Sequence, residues 1–168
     1  TDVYLNYTYK TTSSLGLDEH FRIFAESVLN EYDFGAGNLV IDIGSNDGTL
    51  LKCFMDKGYQ ALGIDPAPDI ANEATKNGIL TLPELFDKEL AKEIVSKHGK
   101  AVIVTSNNLV ANVDDLSGLL NGIEHLLEKD GIFIFESFYL VDQIENFVWD
   151  FTYHEHFSYF TVKPLVSF

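Results

Sequence analysis

Seven consecutive residues near the end of the chain, Tyr153-His154-Glu155-His156-Phe157-Ser158-Tyr159, concentrate side chains that move protons. Histidine titrates nearest neutral pH, so two imidazoles beside a carboxylate and two phenols suit general acid–base chemistry. A His-x-His pair also occurs in zinc sites, but a third ligand of the right kind is not evident nearby. A general base is therefore favoured over a metal ligand, and no metal is expected. The plainer alternative is a surface loop whose histidines are satisfied by hydrogen bonds.

A second chemical signal lies in Val40-Ile41-Asp42-Ile43-Gly44-Ser45-Asn46-Asp47-Gly48-Thr49, which leaves an apolar run and opens a helical one. Gly44 and Gly48 permit turn geometry and let a ligand approach the backbone. The helix start behind them offers free amides. Asp65 follows Gly48 by 17 residues, close to the ~20-residue offset of an acid that grips ribose hydroxyls. Pro66 stops the strand after it. A dinucleotide turn needs G-x-G-x-x-G so that pyrophosphate can lie on the helix. Here Asn46 takes the second glycine's place and Asp47 adds negative charge where phosphate would sit. Both features favour a ligand without phosphate but with an ammonium group and a ribose. S-adenosylmethionine has these parts. A nicotinamide or flavin cofactor, and a tight turn with no ligand, are the rivals.

These residues need a scaffold. Apolar runs at Leu39–Ile43, Ala61–Ile64, Ile79–Leu82, Ala101–Thr105 and Ile132–Glu136 predict five strands. Asp18 is expected to cap a first helix, ended by Gly35 and Gly37. Further helices are predicted after Gly48, over Asp69–Asn77, Lys88–His98 and Asp114–Lys129. The strands are apolar on both faces, as in parallel sheets covered by helices. Alternating strands and helices imply right-handed crossovers and a doubly wound, Rossmann-like α/β sheet. Ligands then bind beyond the carboxyl ends of the strands. That places Asp42, Gly44, Ser45, Asn46, Gly48, Asp65 and Pro66 at a cofactor. Phe86 is a candidate to sandwich adenine, with core packing as its alternative. Asn107 and Asn108 are candidates for the cofactor tail, with turn chemistry as theirs. Residues 1–16 read as an irregular lead-in whose Tyr7 and Tyr9 can fold over the pocket. Residues 137–168 read as a substrate-side segment of the same single domain.

Composition narrows the partners. The net charge is −15, which repels phosphate backbones, so nucleic acid is not expected. Arg22 is the one arginine, and arginine forks are the usual clamps for phosphates. A phosphorylated substrate would need lysines, backbone amides or groups outside this chain. No apolar run reaches the ~18 residues of a membrane span, and Thr1-Asp2-Val3-Tyr4 does not read as a secretory signal. One cysteine, Cys53, excludes an internal disulfide and makes the cytoplasm the expected compartment.

The chain resembles the C-methyltransferases that modify nucleotide-linked deoxysugars. The shared residues are Tyr7-x-Tyr9 with Ser13-Ser14, Glu19-His20-Phe21, Asp42 through Leu50, Gly63 through Ala67, Asn107-Asn108, Phe135-Glu136 and Tyr153 through Tyr159. The resemblance implies a class I methyltransferase core that uses S-adenosylmethionine and yields S-adenosylhomocysteine. It implies that His156 removes a proton beside the keto group of a 4-keto sugar. Tyr153 and Glu155 then shape its environment, and Tyr9 joins the catalytic set. The substrate implied is a nucleotide sugar. Asn112 stands where the family usually has histidine and cannot act as an acid or base. The family also usually carries a cysteine-rich zinc module, two more strands and a C-terminal domain, so a core truncated before its last two strands is expected. Its open sheet edge makes self-association an expectation. Methylation of oxygen or nitrogen, or cofactor binding without activity, are the alternatives.

Overall fold

The computed structural model describes residues 8–150 and 152–167. Its centre is β1, Leu39–Ile43, in which every residue is buried. Around it lie β2 (Gln60–Ile64), β3 (Thr81–Leu82), β4 (Ala101–Asn107) and β5 (Leu127–Glu136). They form one parallel sheet in the order β3-β2-β1-β4-β5. The order reverses at β1, so the carboxyl ends of β1 and β4 flank a crevice. This is the α/β, Rossmann-like architecture expected from the strand and helix alternation.

Side chains alternate across a strand, and β1 sends them into two cores. Leu39, Ile41 and Ile43 pack with Leu90, Ala91 and Ile94 of α4 (Lys88–His98) and Leu119, Ile123 and Leu126 of α5 (Leu116–Leu126). Val40 faces the other way. It meets Phe21, Ala25 and Val28 of α1 (Leu17–Glu31) and Leu50, Leu51 and Phe54 of α2 (Thr49–Met55). Between β2 and β3 runs α3, Pro68–Lys76. Two short helices, α6 (Leu140–Glu145) and α7 (Val162–Ser167), follow the sheet. Among the described residues no helix is long and apolar enough to cross a membrane.

Several boundaries differ from the sequence reading. Gly16, at φ +87°, occupies the cap position of α1, and Asp18 sits inside the first turn. The helix closes at Tyr32, ahead of Gly35 and Gly37, which serve the loop that follows. The Asp114–Lys129 helix is shorter. Asp115 caps it by accepting from the Gly118 amide at 2.8 Å, and the chain turns extended at Leu127, which pairs with Ala101. Pairing with a neighbouring strand overrides helical spacing there. The third strand loses Ile79 and Leu80; the Ile79 amide instead bonds the Ala74 carbonyl and closes α3.

Asp42 continues the Val40 side of β1 and is 4 % exposed. It lies opposite Thr105 of β4 in the sheet register, and the Thr105 hydroxyl donates to its Oδ1 at 2.7 Å. Burial pushes its carboxyl up to about 7 from an ordinary 3.8; the Thr105 bond opposes this and the Asp65 charge adds to it. The folded domain therefore holds a proton that the unfolded chain releases near pH 4. By linkage, this group's contribution to stability is fullest below that pH and is lost as pH rises towards 7. Asp42→Asn is expected to flatten this part of the pH–stability curve. At pH 8 the variant should be more stable than the parent by on the order of 4 kcal/mol at most. Urea unfolding at pH 5 and pH 8 checks the slope, and an unchanged slope would refute the assignment.

Candidate active site

The carboxyl ends of β1, β2 and β4 open into a cavity of about 250 Å³. A second cavity, of about 500 Å³, shares Gly44, Pro66, Leu85, Leu109 and Val113 with it. The turn after β1 makes the floor. Gly44 runs at φ +80°, and a side chain there would collide with Leu109 at 2.7 Å. Asp42, Gly44, Ser45, Asn46, Asp65, Pro66, Asn107 and Asn108 all line the first cavity. Two other expected cofactor residues do not. Gly48 caps α2 in a left-handed conformation against Ile79. Phe86 belongs to the adjoining cavity, where its ring abuts Gly122 of α5, while Leu85 lines both cavities.

Asp65 is the organising acid. Its Oδ2 accepts from the Asn46 amide and its Oδ1 from the Ala67 amide, each at 2.9 Å. An ionised carboxylate accepts about four hydrogen bonds, so two amides leave room for ligand hydroxyls. Burial pushes its pKa upward, the two backbone bonds oppose this, and the Asp47 charge adds to it. Three further polar atoms at the cavity, Ser45 Oγ, Asn107 Nδ2 and Asn112 Oδ1, are buried without partners in the protein. Buried polar groups are rarely left unpaired. Their grouping around one cavity fits a polar ligand, and the donor and acceptor set suits the ribose and amino-acid tail of S-adenosylmethionine.

Asn46, which lines the cavity, and Asp47 also hold a neighbouring segment. The Asp47 carboxylate does not line the cavity. It accepts from the amide and hydroxyl of Thr12 and from those of Thr49. The Asn46 side chain accepts from the Thr11 amide and donates to the Tyr9 carbonyl, each at 2.9 Å. Residues 9–12 are thereby tied across the glycine turn, and Tyr9 and Thr11 become cavity wall. The Tyr9 hydroxyl bonds Ser14 Oγ at 2.7 Å. Tyr7 lies outside the described residues.

The histidine-bearing segment docks beside this cavity through its backbone. The amides of Phe157 and Ser158 donate to the Ala111 carbonyl at 2.8 and 3.1 Å, one residue from Asn112. The His156 ring sits among Tyr153, Phe138 and Tyr159, with centroids 4.2, 5.3 and 5.5 Å away. Its Nδ1 is buried without a partner. Burial pushes the Tyr153 phenol upward, with the Glu155 and Tyr159 charges adding to the shift. His156, Tyr153 and Glu155 are not part of the cavity wall itself.

Sequence reasoning missed other wall residues. Leu17 and Phe21 line the cavity from α1, and only their i, i+4 spacing hinted at a shared face. Between them His20 Nε2 meets Glu136 Oε2 at 2.7 Å. Glu136 is joined through its backbone to both cavity asparagines: its amide donates to Asn107 Oδ1, and its carbonyl accepts from the Asn108 amide. No local pattern links two residues so far apart in sequence.

Comparison with known proteins gives this geometry a family. The methyltransferase-domain family matches residues 19–167. The C-methyltransferase NovU of Streptomyces niveus is 34 % identical over 162 residues, which are 96 % of this chain and 39 % of NovU. The chain thus spans about two-fifths of the length of that curated relative. Among solved structures, magnesium protoporphyrin IX methyltransferase (ChlM) from Synechocystis PCC 6803, with bound S-adenosylhomocysteine, superposes with a TM-score of 0.63 at 14 % identity. That match covers 97 % of this chain and 77 % of ChlM. The methyltransferase in complex with the Haloferax volcanii Trm112 activator gives a TM-score of 0.67 at 18 % identity, covering 90 % and 68 %. Shared fold, family match and cavity chemistry lead to one identification. The chain belongs to the methyltransferase-domain family.

Proposed function

We propose that this domain is the cofactor-binding core of a C-methyltransferase acting on a nucleotide-linked 4-keto-deoxysugar. The observation that carries the reading is the docking of the Tyr153–Tyr159 segment on Ala111, next to the cavity residue Asn112. The likeness to the C-methyltransferase NovU supports it. When bound, the cofactor supplies an electrophilic methyl group on sulfur, which a substrate carbanion accepts, with S-adenosylhomocysteine as product.

In this reading Asp65 accepts from the ribose hydroxyls, while Pro66 and Gly44 leave room for the sugar. Ser45, Asn107, Asn108 and Asp42 face the amino-acid tail, where acceptors suit an ammonium group and amide donors suit a carboxylate. Phe86 and Leu85 flank the adenine from the adjoining cavity. Gly48 supports the turn without touching the ligand. On the substrate side, His156 takes the proton at the carbon next to the keto group. The electron pair left behind spreads onto the keto oxygen, which makes that carbon nucleophilic. Tyr153 and Glu155 tune the imidazole, and Tyr9 closes the site from the lead-in. Asn112 can hydrogen-bond the substrate but cannot carry its proton. Arg22 is held by Glu19 and Glu26, so a substrate diphosphate falls to lysines, amides or the remainder of a longer protein. The cytoplasm is the proposed compartment, in keeping with a single cysteine.

A second reading, cofactor binding without turnover by this stretch of chain, draws on the position of His156, Tyr153 and Glu155 outside the cavity wall. The two readings part on substrate chemistry.

Calorimetric titration is expected to give micromolar binding of S-adenosylhomocysteine and none of NAD. Asp65→Ala should weaken that binding ~10- to 100-fold, the worth of hydrogen bonds to a charged group. Binding of NAD alone would overturn the cofactor pocket. For the base, a 4-keto-deoxysugar nucleotide is incubated in deuterated water with S-adenosylhomocysteine present. Exchange of the proton beside the keto group should fall at least ~100-fold in His156→Ala, within the range of general-base catalysis. Exchange at the parent rate in that variant would remove His156 from the mechanism.

A further inference from the structure

We propose that Asn46 and Asp47 form a latch that seats the strap Tyr9–Thr12 as a wall of the cofactor cavity and so sets how long the cofactor stays. The inference rests on the S-adenosylmethionine pocket described above and assigns these two residues a positioning role.

Asn46 is the first sign of it. The residue lies in the left-handed region at φ +50°, where glycine is the unstrained choice and a side chain must be compensated. The residue is 9 % exposed, and both ends of its side-chain amide are engaged. Oδ1 accepts from the Thr11 and Asp47 amides, and Nδ2 donates to the Tyr9 carbonyl, all at 2.9 Å. Asp47 extends the grip by one residue on each side. Its Oδ2 takes both the amide and the hydroxyl of Thr12 at 2.9 Å. Its Oδ1 is anchored by the Thr49 hydroxyl at 2.6 Å, so the carboxylate bridges α2 and the strap. Lys10, between the two gripped residues, reaches Glu73 of α3 at 2.6 Å.

The strap belongs to none of the sheet's strands. Its tertiary hydrogen bonds on the turn come from these two side chains, 35 to 37 residues away in sequence. What it supplies to the cavity is Tyr9 and Thr11, which share the lining with Gly44, Ser45 and Asp65. A glycine in place of Asn46 would leave the turn intact and take its side chain off Tyr9 and Thr11, with Asp47 still on Thr12. The same two side chains stand where a dinucleotide turn keeps room for pyrophosphate, and here they hold the strap.

The test compares the parent with Asn46→Gly and Asp47→Ala by stopped-flow release of S-adenosylhomocysteine and by amide hydrogen exchange. Asn46→Gly is informative because it removes one half of the latch while easing the backbone. Release is expected to quicken at least tenfold in both variants, with association changed less than threefold and the thermal midpoint within a few degrees. Exchange at the Thr11 and Thr12 amides should quicken in step, in the free and the bound domain. Release at the parent rate from variants that fold and bind overturns the latch and leaves the cofactor pocket standing. A parent domain that fails to bind S-adenosylhomocysteine overturns the pocket, and the latch with it.

Discussion

One carboxylate joins the loops from which the site is made. Asp65 takes an amide from the turn after β1 and another from the loop after β2. The glycine turn is thereby fixed relative to the neighbouring strand, and Asn46 is fixed with it. From Asn46 the connection runs on to the strap that walls the cavity. The residue proposed to hold ribose is thus also the pin on which the pocket's shape depends. That double use explains why the carboxylate is buried beside a ligand cavity at all, since burying an acid is costly unless several donors surround it.

The cavity holds a second buried acid, Asp42, and both are pushed towards the neutral form. Two carboxyls facing one cavity in a domain of net charge −15 make a place where a cation is electrostatically welcome. The cofactor carries positive charge on sulfur and on its amino group. The same field disfavours the pyrophosphate of a dinucleotide.

Most of the scaffold was legible because it rests on local signals. Glycines at Gly44 and Gly48, an acid at Asp65 and apolar runs bounded by turns are readable one segment at a time. The failures share a cause. Nothing near Leu127 says that helix must give way to strand; Ala101, a strand away, decides it. Phe86 and Leu85 are adjacent and both apolar, and past Pro83 no period tells which one faces which cavity. Asn46 and Asp47 were read by charge and bulk, yet their partners sit at Tyr9 through Thr12. The His20–Glu136 pair spans even more sequence. Side chains whose role is set by a distant segment leave no pattern of their own.

The ion pairs of Arg22 with Glu19 and Glu26 on α1 have a kinetic consequence. The chain's only arginine is spent on its own helix, so the excess of acidic groups is not offset by any guanidinium facing outward. For an anionic nucleotide substrate, as proposed, diffusion to this surface runs against the field. Encounter then quickens with ionic strength, the reverse of the usual steering of a charged ligand to a complementary site.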